Sequence, residues 1–198
     1  MKIVWTSVLI KEVFCYNSLI GFGAGLVIPF FNVFLTQRLK APTSIVGIVM
    51  SSSQIGMALT GLLAPFLIAK LGKVNAVVVS QLASIPFLLM IALPQSLGIV
   101  ILSFLLRSAL MNMSSPISSG FTMEITPSEQ RATVSSLIGM AQNLSRAVSA
   151  ALGGWLMQVT NYSVPYFLTS VLYLLASLYY WKVFNPREKE IYRLKRIG

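Results

Sequence analysis

Long apolar runs alternate with short polar segments along the whole chain. A transmembrane helix needs about 20 predominantly apolar residues. Six stretches meet this requirement, at residues 13–35, 45–69, 74–93, 97–120, 132–159 and 164–184. The pattern therefore predicts an all-α membrane protein whose residues 1–184 form a domain of six transmembrane helices. We expect Asn185 and Pro186 to end the sixth helix, because proline lacks the amide hydrogen that an interior helical position donates.

The composition indicates lipid as the surrounding medium. Hydrophobic residues make up 56% of the sequence and charged residues 10%, and the mean hydropathy is +0.78. A soluble domain carries about 25% charged residues. So few charges cannot cover a water-facing surface, and the lipid bilayer is the expected partner of most of the chain's exterior.

Apart from Arg107 and Arg146, positive charge lies before the first apolar run, between the runs and in the stretch from Lys182 to Arg196, and the net charge is +10. Nucleic-acid-binding proteins instead cluster Lys and Arg on one folded face, so no nucleic-acid partner is expected. Cytoplasmic loops carry an excess of Lys and Arg. An N-terminus inside the cell leaves only Arg38 and Lys40 outside. The residues then on the cytoplasmic side are Lys2, Lys11, Lys70, Lys73, Arg131, Lys182, Arg187, Lys189, Arg193, Lys195 and Arg196. The prediction is a multi-pass protein of the cell membrane with both termini and a basic tail at 185–198 in the cytoplasm.

Residue types that carry catalysis are largely missing. The sequence has no His, no Asp and a single cysteine, Cys15. Zinc sites of the His/Cys type and Ser-His-Asp catalytic sites therefore lack their residues. Enzymes within the bilayer usually need acids or histidines there, and the five Glu residues of this chain lie at span edges or in loops. We expect neither enzymatic activity nor a metal or organic cofactor.

Two arginines lie inside predicted spans, Arg107 about 15 Å and Arg146 about 22 Å from a span boundary at the helical rise per residue. A central Arg costs about 2.5–3.5 kcal/mol on insertion scales, so it should face a partner or a cavity. Three explanations stay open: bonds to backbone carbonyls, ion pairs with acids of another domain or chain, and contact with a polar or anionic substrate. The amide side chains within the spans either form hydrogen bonds between helices or face the same cavity. The candidate cavity residues are Asn32, Gln54, Arg107, Asn112, Asn143 and Arg146.

Small residues recur at spacings that favour close helix packing. Ser149 and Gly153 lie four residues apart in the fifth span, and the first span contains Gly21, Gly23 and Gly25. Small side chains at this spacing allow helix backbones to approach each other in a membrane. The pattern predicts a packed bundle.

Several segments resemble the second half, spans seven to twelve, of a major facilitator superfamily transporter. Lys70, Gly72 and Lys73 match the basic motif that joins the second and third helices of each half in that family. Ala69 replaces the acid of that motif and Pro65 its glycine, so a charge relay through the acid is absent. The remaining matches are Arg107 with Pro116 in the fourth span, and Glu124, Pro127 and Arg131 in the loop before the fifth.

The resemblance implies a half bundle that transports a small solute by alternating access. Efflux from the cell is one direction of transport that it allows. Spans one, two, four and five would line the cavity, and three and six would be peripheral. Family members have twelve helices, so a second six-helix half is an expected partner, supplied by a missing N-terminal half, a separate chain or a homodimer. The rival interpretation is the six-helix substrate-binding subunit of an ATP-driven vitamin importer.

Overall fold

A computed structural model describes residues 2–93 and 96–197, with side chains described at 8–93 and 96–193. Its six long helices are α1 Lys2–Val27, α2 Thr43–Leu71, α3 Lys73–Ala92, α4 Leu97–Ile125, α5 Arg131–Val159 and α6 Ser163–Ile197. No strand occurs in this part of the chain, so the predicted all-α class is confirmed. The side chains of Lys2, Lys195 and Arg196, which the charge pattern assigns to the cytoplasm, lie outside the described side chains.

The first span is irregular in its second half. After Val27 the chain forms a 3₁₀ turn at Ile28–Phe30, a short α-helical turn at Phe31–Val33 and a π-helical turn at Phe34–Arg38. Pro29 stands in the 3₁₀ turn, where it has no amide hydrogen to donate. The first predicted span at 13–35 is therefore a helix with a break near Pro29 and not one uniform helix.

The expected end of the sixth helix before Asn185 is wrong. The helix continues through Pro186 to Ile197. Asn185 and Glu188, on either side of the proline, are buried, and Phe184 is fully buried against the neighbouring helices. Packing on both sides of Pro186 holds the chain helical although the proline donates no hydrogen bond. The segment 185–197, predicted as a tail, is thus the last part of α6.

Five helical segments of the described residues are long and apolar enough to cross a membrane: Val8–Arg38, Thr43–Leu71, Lys73–Ala92, Leu97–Ile125 and Ser163–Arg193. Helix α5 has the length but lies outside this set. Its middle contains Gln142, Asn143 and Arg146. The predicted six spans therefore correspond to six long helices, and the span predicted at 132–159 is the one that is not apolar enough to join this set.

Each helix packs mainly against the next one in the order α5, α1, α6, α3, α4, α2. Helices α2 and α5 therefore stand at the two ends of this row. Successive helices run in opposite directions, because short connections join them. Gly72, the 126–130 loop, the start of α1 and the end of α6 lie at one end of the bundle, called the Gly72 end. The turns near Lys40 and Asn161 lie at the opposite end, called the Asn161 end.

Two groups of buried apolar side chains hold the bundle together, one towards each end. The group towards the Asn161 end includes Leu26, Phe31, Leu35, Leu88 and Tyr166. The group towards the Gly72 end includes Val13, Tyr16, Val77, Phe121 and Phe184. Aromatic rings pack closely in both, with Phe31 stacked on Phe104 and Tyr16 tilted against Tyr180.

Candidate functional site

Helix α5 exposes a polar face in its middle. Asn143 and Arg146 are exposed, and the Arg146 side chain makes no hydrogen bond or ion pair with any residue that the structure describes. Large apolar side chains cover an adjacent face of the same helix. These exposed residues are Met140, Leu144, Val148, Leu152, Trp155 and Val159. An arginine against lipid is costly, so the polar face needs water or a polar partner.

Helix α2, at the other end of the row, also has a polar face. Gln54 is exposed there, between small exposed residues that recur every three or four positions. This set is Gly47, Ser51, Ala58, Gly61 and Pro65. Beside it lies a row of exposed apolar side chains that includes Ile48, Ile55, Leu62 and Phe66. Both end helices therefore combine a polar or small face with an apolar one.

Arg107 lies in different surroundings from Arg146. It is only 5% exposed, and its Nη2 donates a hydrogen bond of 2.9 Å to the hydroxyl of Tyr173 on α6. The guanidinium also lies 5.7 Å from the centre of the Tyr173 ring, within cation–π range. The partner is thus a tyrosine hydroxyl, not a backbone carbonyl. The structure does not bring the two arginines together.

The remaining candidate amides bond within their own segments. Asn112 is half-buried and donates to the Ser108 carbonyl one turn earlier, at 2.7 Å. Asn32 is exposed, and its Oδ1 accepts a bond of 2.8 Å from the Val33 amide. Neither Asn112 nor Asn32 therefore forms, in this structure, the interhelical hydrogen bond that was considered for it.

Two groups of hydrogen bonds between side chains inside the bundle, which the sequence interpretation missed, connect four helices. Nε2 of Gln81 on α3 donates to the Tyr16 hydroxyl on α1 at 2.5 Å, and the Ser177 hydroxyl on α6 donates to Gln81 Oε1 at 3.0 Å. Gln142 of α5 donates to Asn17 of α1 at 2.8 Å. Buried polar groups need such partners. No local spacing in the sequence indicates these bonds, because Gln81 lies 65 positions from Tyr16 and 96 from Ser177.

The basic motif at the Gly72 end joins three helices. Gly72 ends α2 and begins α3 with a positive φ of 81°. Lys73 forms an ion pair with Glu124 at the end of α4. The carboxylate of Glu188 on α6 accepts hydrogen bonds from the backbone amides of Lys73, at 2.5 Å, and Val74, at 3.1 Å. A carboxylate at this position satisfies the free amides at the start of α3. Lys70 is exposed.

The loop before α5 is held by local hydrogen bonds. Pro127 precedes a 3₁₀ turn at Ser128–Gln130, and Arg131 Nε donates to the Thr126 carbonyl at 3.3 Å. Hydrogen bonds from its own backbone amide and from Ser128 hold the pKa of the Glu129 carboxyl below its ordinary value. The predicted loop residues thus arrange the turn between α4 and α5.

Glycines bring α1 and α5 into close contact. A Cβ added at Gly21 would lie 2.6 Å from the Gln142 carbonyl oxygen, and one at Gly153 would lie 2.6 Å from that of Leu26. A Cβ at Gly25 would collide with the Arg146 backbone and the Ser149 hydroxyl. The predicted close packing of small residues is therefore present between these two helices.

Comparisons with known proteins agree with this architecture. The model of the Major Facilitator Superfamily matches residues 13–196. The solved structure of a mutant of the nucleoside transporter NupG is similar, with a TM-score of 0.73 and 18% sequence identity. The likeness, which at this identity concerns the fold, covers 91% of this chain and 50% of that one, so the chain spans half the length of NupG. No curated protein matches the chain.

Proposed function

The chain belongs to the major facilitator superfamily, a family of membrane transporters, and from this premise we propose that it forms one half of a secondary transporter that moves a small solute by alternating access. In such transporters one half rocks against the other around a site near the middle of the membrane. The family assignment favours this function over the vitamin-importer subunit. The solute, the direction of movement and the whole transporter's partners belong to the proposal.

The exposed polar face of α5 is the observation that carries the proposal. Arg146 has no counter-charge and no hydrogen-bond partner among the described residues, although it lies in the middle of α5, a helix that spans the membrane in this proposal. A water-filled cavity relieves the cost of that charge, and a transported solute with acceptor groups can bind it there. Asn143, three residues earlier, presents a second polar group to the same cavity.

A second six-helix half completes the cavity in this proposal. The exposed faces of α2 and α5 stand at opposite ends of the row of helices, as expected for surfaces that meet another bundle. The chain spans 50% of the length of NupG, which leaves room for such a half. Asn32 and Gln54, both exposed, and the half-buried Asn112 are assigned to the same cavity. Arg107, enclosed among other helices, is set apart from it.

The proposed orientation has both termini and the Gly72 end in the cytoplasm of the cell. Lys70, Lys73, Arg131 and Arg187 lie at the Gly72 end, and Arg38 lies at the Asn161 end. An excess of Lys and Arg is the usual mark of the cytoplasmic side.

Transport by the native assembly tests the proposal. The chain is tagged, isolated from its own membranes with whatever half accompanies it, and reconstituted into liposomes. Uptake of a panel of labelled solutes is then measured, with nucleosides included because the structural neighbour is named a nucleoside transporter. We expect at least one solute to be accumulated or exchanged, and Arg146→Ala to reduce its transport about tenfold or more, since a hydrogen bond to a charged group contributes about 1.5–3 kcal/mol.

The matched control is Arg38→Ala, which removes an exposed arginine outside the proposed cavity and should leave transport unchanged. A folded Arg146→Ala protein with normal transport would remove Arg146 from the cavity. Failure of the unaltered assembly to move any solute in the panel would count against the transporter proposal itself.

A further inference from the structure

A small cleft lies inside the bundle, away from the exposed face of α5. Helices α1, α3, α4 and α6 surround a partly open cavity of about 10 Å³ near the break after α1, which is room for one water-sized particle or ion. Its walls are mainly apolar and include Val27, Leu88 and Phe104. Only Arg107 and Tyr166 bring polar groups to it.

Both polar side chains have an unused hydrogen-bonding atom. Arg107 is 5% exposed and uses Nη2 for Tyr173, but its Nε has no partner among the described residues. Tyr166 is 1% exposed, and its hydroxyl likewise has no described partner. A buried hydrogen-bond donor without a partner destabilises a fold. Two such donors at one cleft therefore indicate a bound species that accepts a hydrogen bond from each.

The charge of Arg107 points to the chemistry of that acceptor. The ion pairs of the described residues join Lys73 to Glu124 and Arg187 to Glu12, and none of them includes Arg107. Arg107 therefore has no counter-ion among the residues whose side chains the structure describes. A buried charge without compensation is strongly unfavourable. A water molecule would satisfy the two donors but would leave the charge unbalanced.

We propose that this cleft binds a small monovalent inorganic anion of the halide type, held by the Nε–H of Arg107 and the hydroxyl of Tyr166. One such ion supplies both the acceptor and the counter-charge, and the apolar walls restrict the site to a small ligand. The ion joins α4 to α6 inside the half bundle. The proposal does not depend on the transport function, because the site lies within this chain and apart from the α5 face.

Thermal unfolding of the full chain in detergent tests the site. Chloride is exchanged for gluconate at constant ionic strength, and the Tm is followed by the loss of helical circular dichroism. We expect chloride at ten times its Kd to raise the Tm by about 3–6 °C. Arg107→Gln and Tyr166→Phe should each abolish the rise. Arg38→Gln, at an exposed arginine, should retain it.

Two results would overturn the proposal. Equal Tm values in chloride and gluconate would mean that the cleft holds water or nothing. A chloride-dependent rise that persists in Tyr166→Phe would mean that the ion acts elsewhere. Tyr166→Phe keeps the ring in the core and removes only the hydroxyl, so it decides the matter even when Arg107→Gln does not fold.

Discussion

At the scale of single residues, Gly72 and Glu188 secure the turn between α2 and α3. The φ of 81° at Gly72 is a conformation that other residues adopt only with strain. A side chain there would also press on Glu188, whose Oε1 would lie 3.1 Å from an added Cβ. The family resemblance singles out Gly72 as part of the loop motif. Glu188 was not predicted, because its partners Lys73 and Val74 lie more than 100 positions away in the sequence.

We expect Glu188→Ala to lower the free energy of unfolding by about 1.5–3 kcal/mol, the range for hydrogen bonds to a charged group. The substitution removes both acceptors of the α3 amides and the negative charge at the start of that helix. Chemical unfolding in detergent measures the change. Glu190→Ala, at an exposed glutamate of the same helix, should leave the stability within about 0.5 kcal/mol of the original. Equal effects of the two substitutions would contradict the capping role.

At the scale of helices, the contact between α1 and α5 depends on missing side chains. Gly25→Ala places a methyl group against the Arg146 backbone and Ser149, so the helices must separate. We expect a loss of about 1–3 kcal/mol, as for overpacked cores, measured as a shift in the unfolding midpoint.

Gly56→Ala is the matched control for Gly25→Ala. An added Cβ at Gly56 meets nothing within 4 Å, and alanine is the better helix former. This variant should be as stable as the original or more so. A harmless Gly25→Ala would mean that α1 and α5 are not in close contact in the folded protein.

The sequence predicts helices better than it predicts their ends and contacts. Apolar length identified the segments at 45–69 and 97–120, because a membrane helix must satisfy its own backbone. Pro186 misled the assignment of the α6 end, since buried neighbours outweigh its missing hydrogen bond. The contrast between buried Arg107 and exposed Arg146 was not predictable, because it depends on which helices pack against α4 and α5.

At the scale of the whole molecule, the distribution of basic residues leads to a prediction about orientation. Cys15 is the sole cysteine, so Cys15→Ser gives a background free of thiols. Into it we would introduce Ser128→Cys at the Gly72 end or Thr160→Cys at the Asn161 end, both at exposed positions. A membrane-impermeant maleimide applied to intact cells should label the Thr160→Cys protein, and should label the Ser128→Cys protein only after permeabilisation.

The expected labelling follows from the charge of the loops and from the alternating directions of the helices. Because successive helices alternate in direction, one labelled site at each end determines the side of every loop. Lys70, Lys73 and Arg131 share an end with Ser128, and an anionic cytoplasmic leaflet attracts basic segments. Labelling of Ser128→Cys in intact cells, with protection of Thr160→Cys, would invert the proposed orientation. It would also place the ion pair between Lys73 and Glu124 on the outer side of the membrane. The usual excess of Lys and Arg on the cytoplasmic side would then not account for the positions of the basic residues.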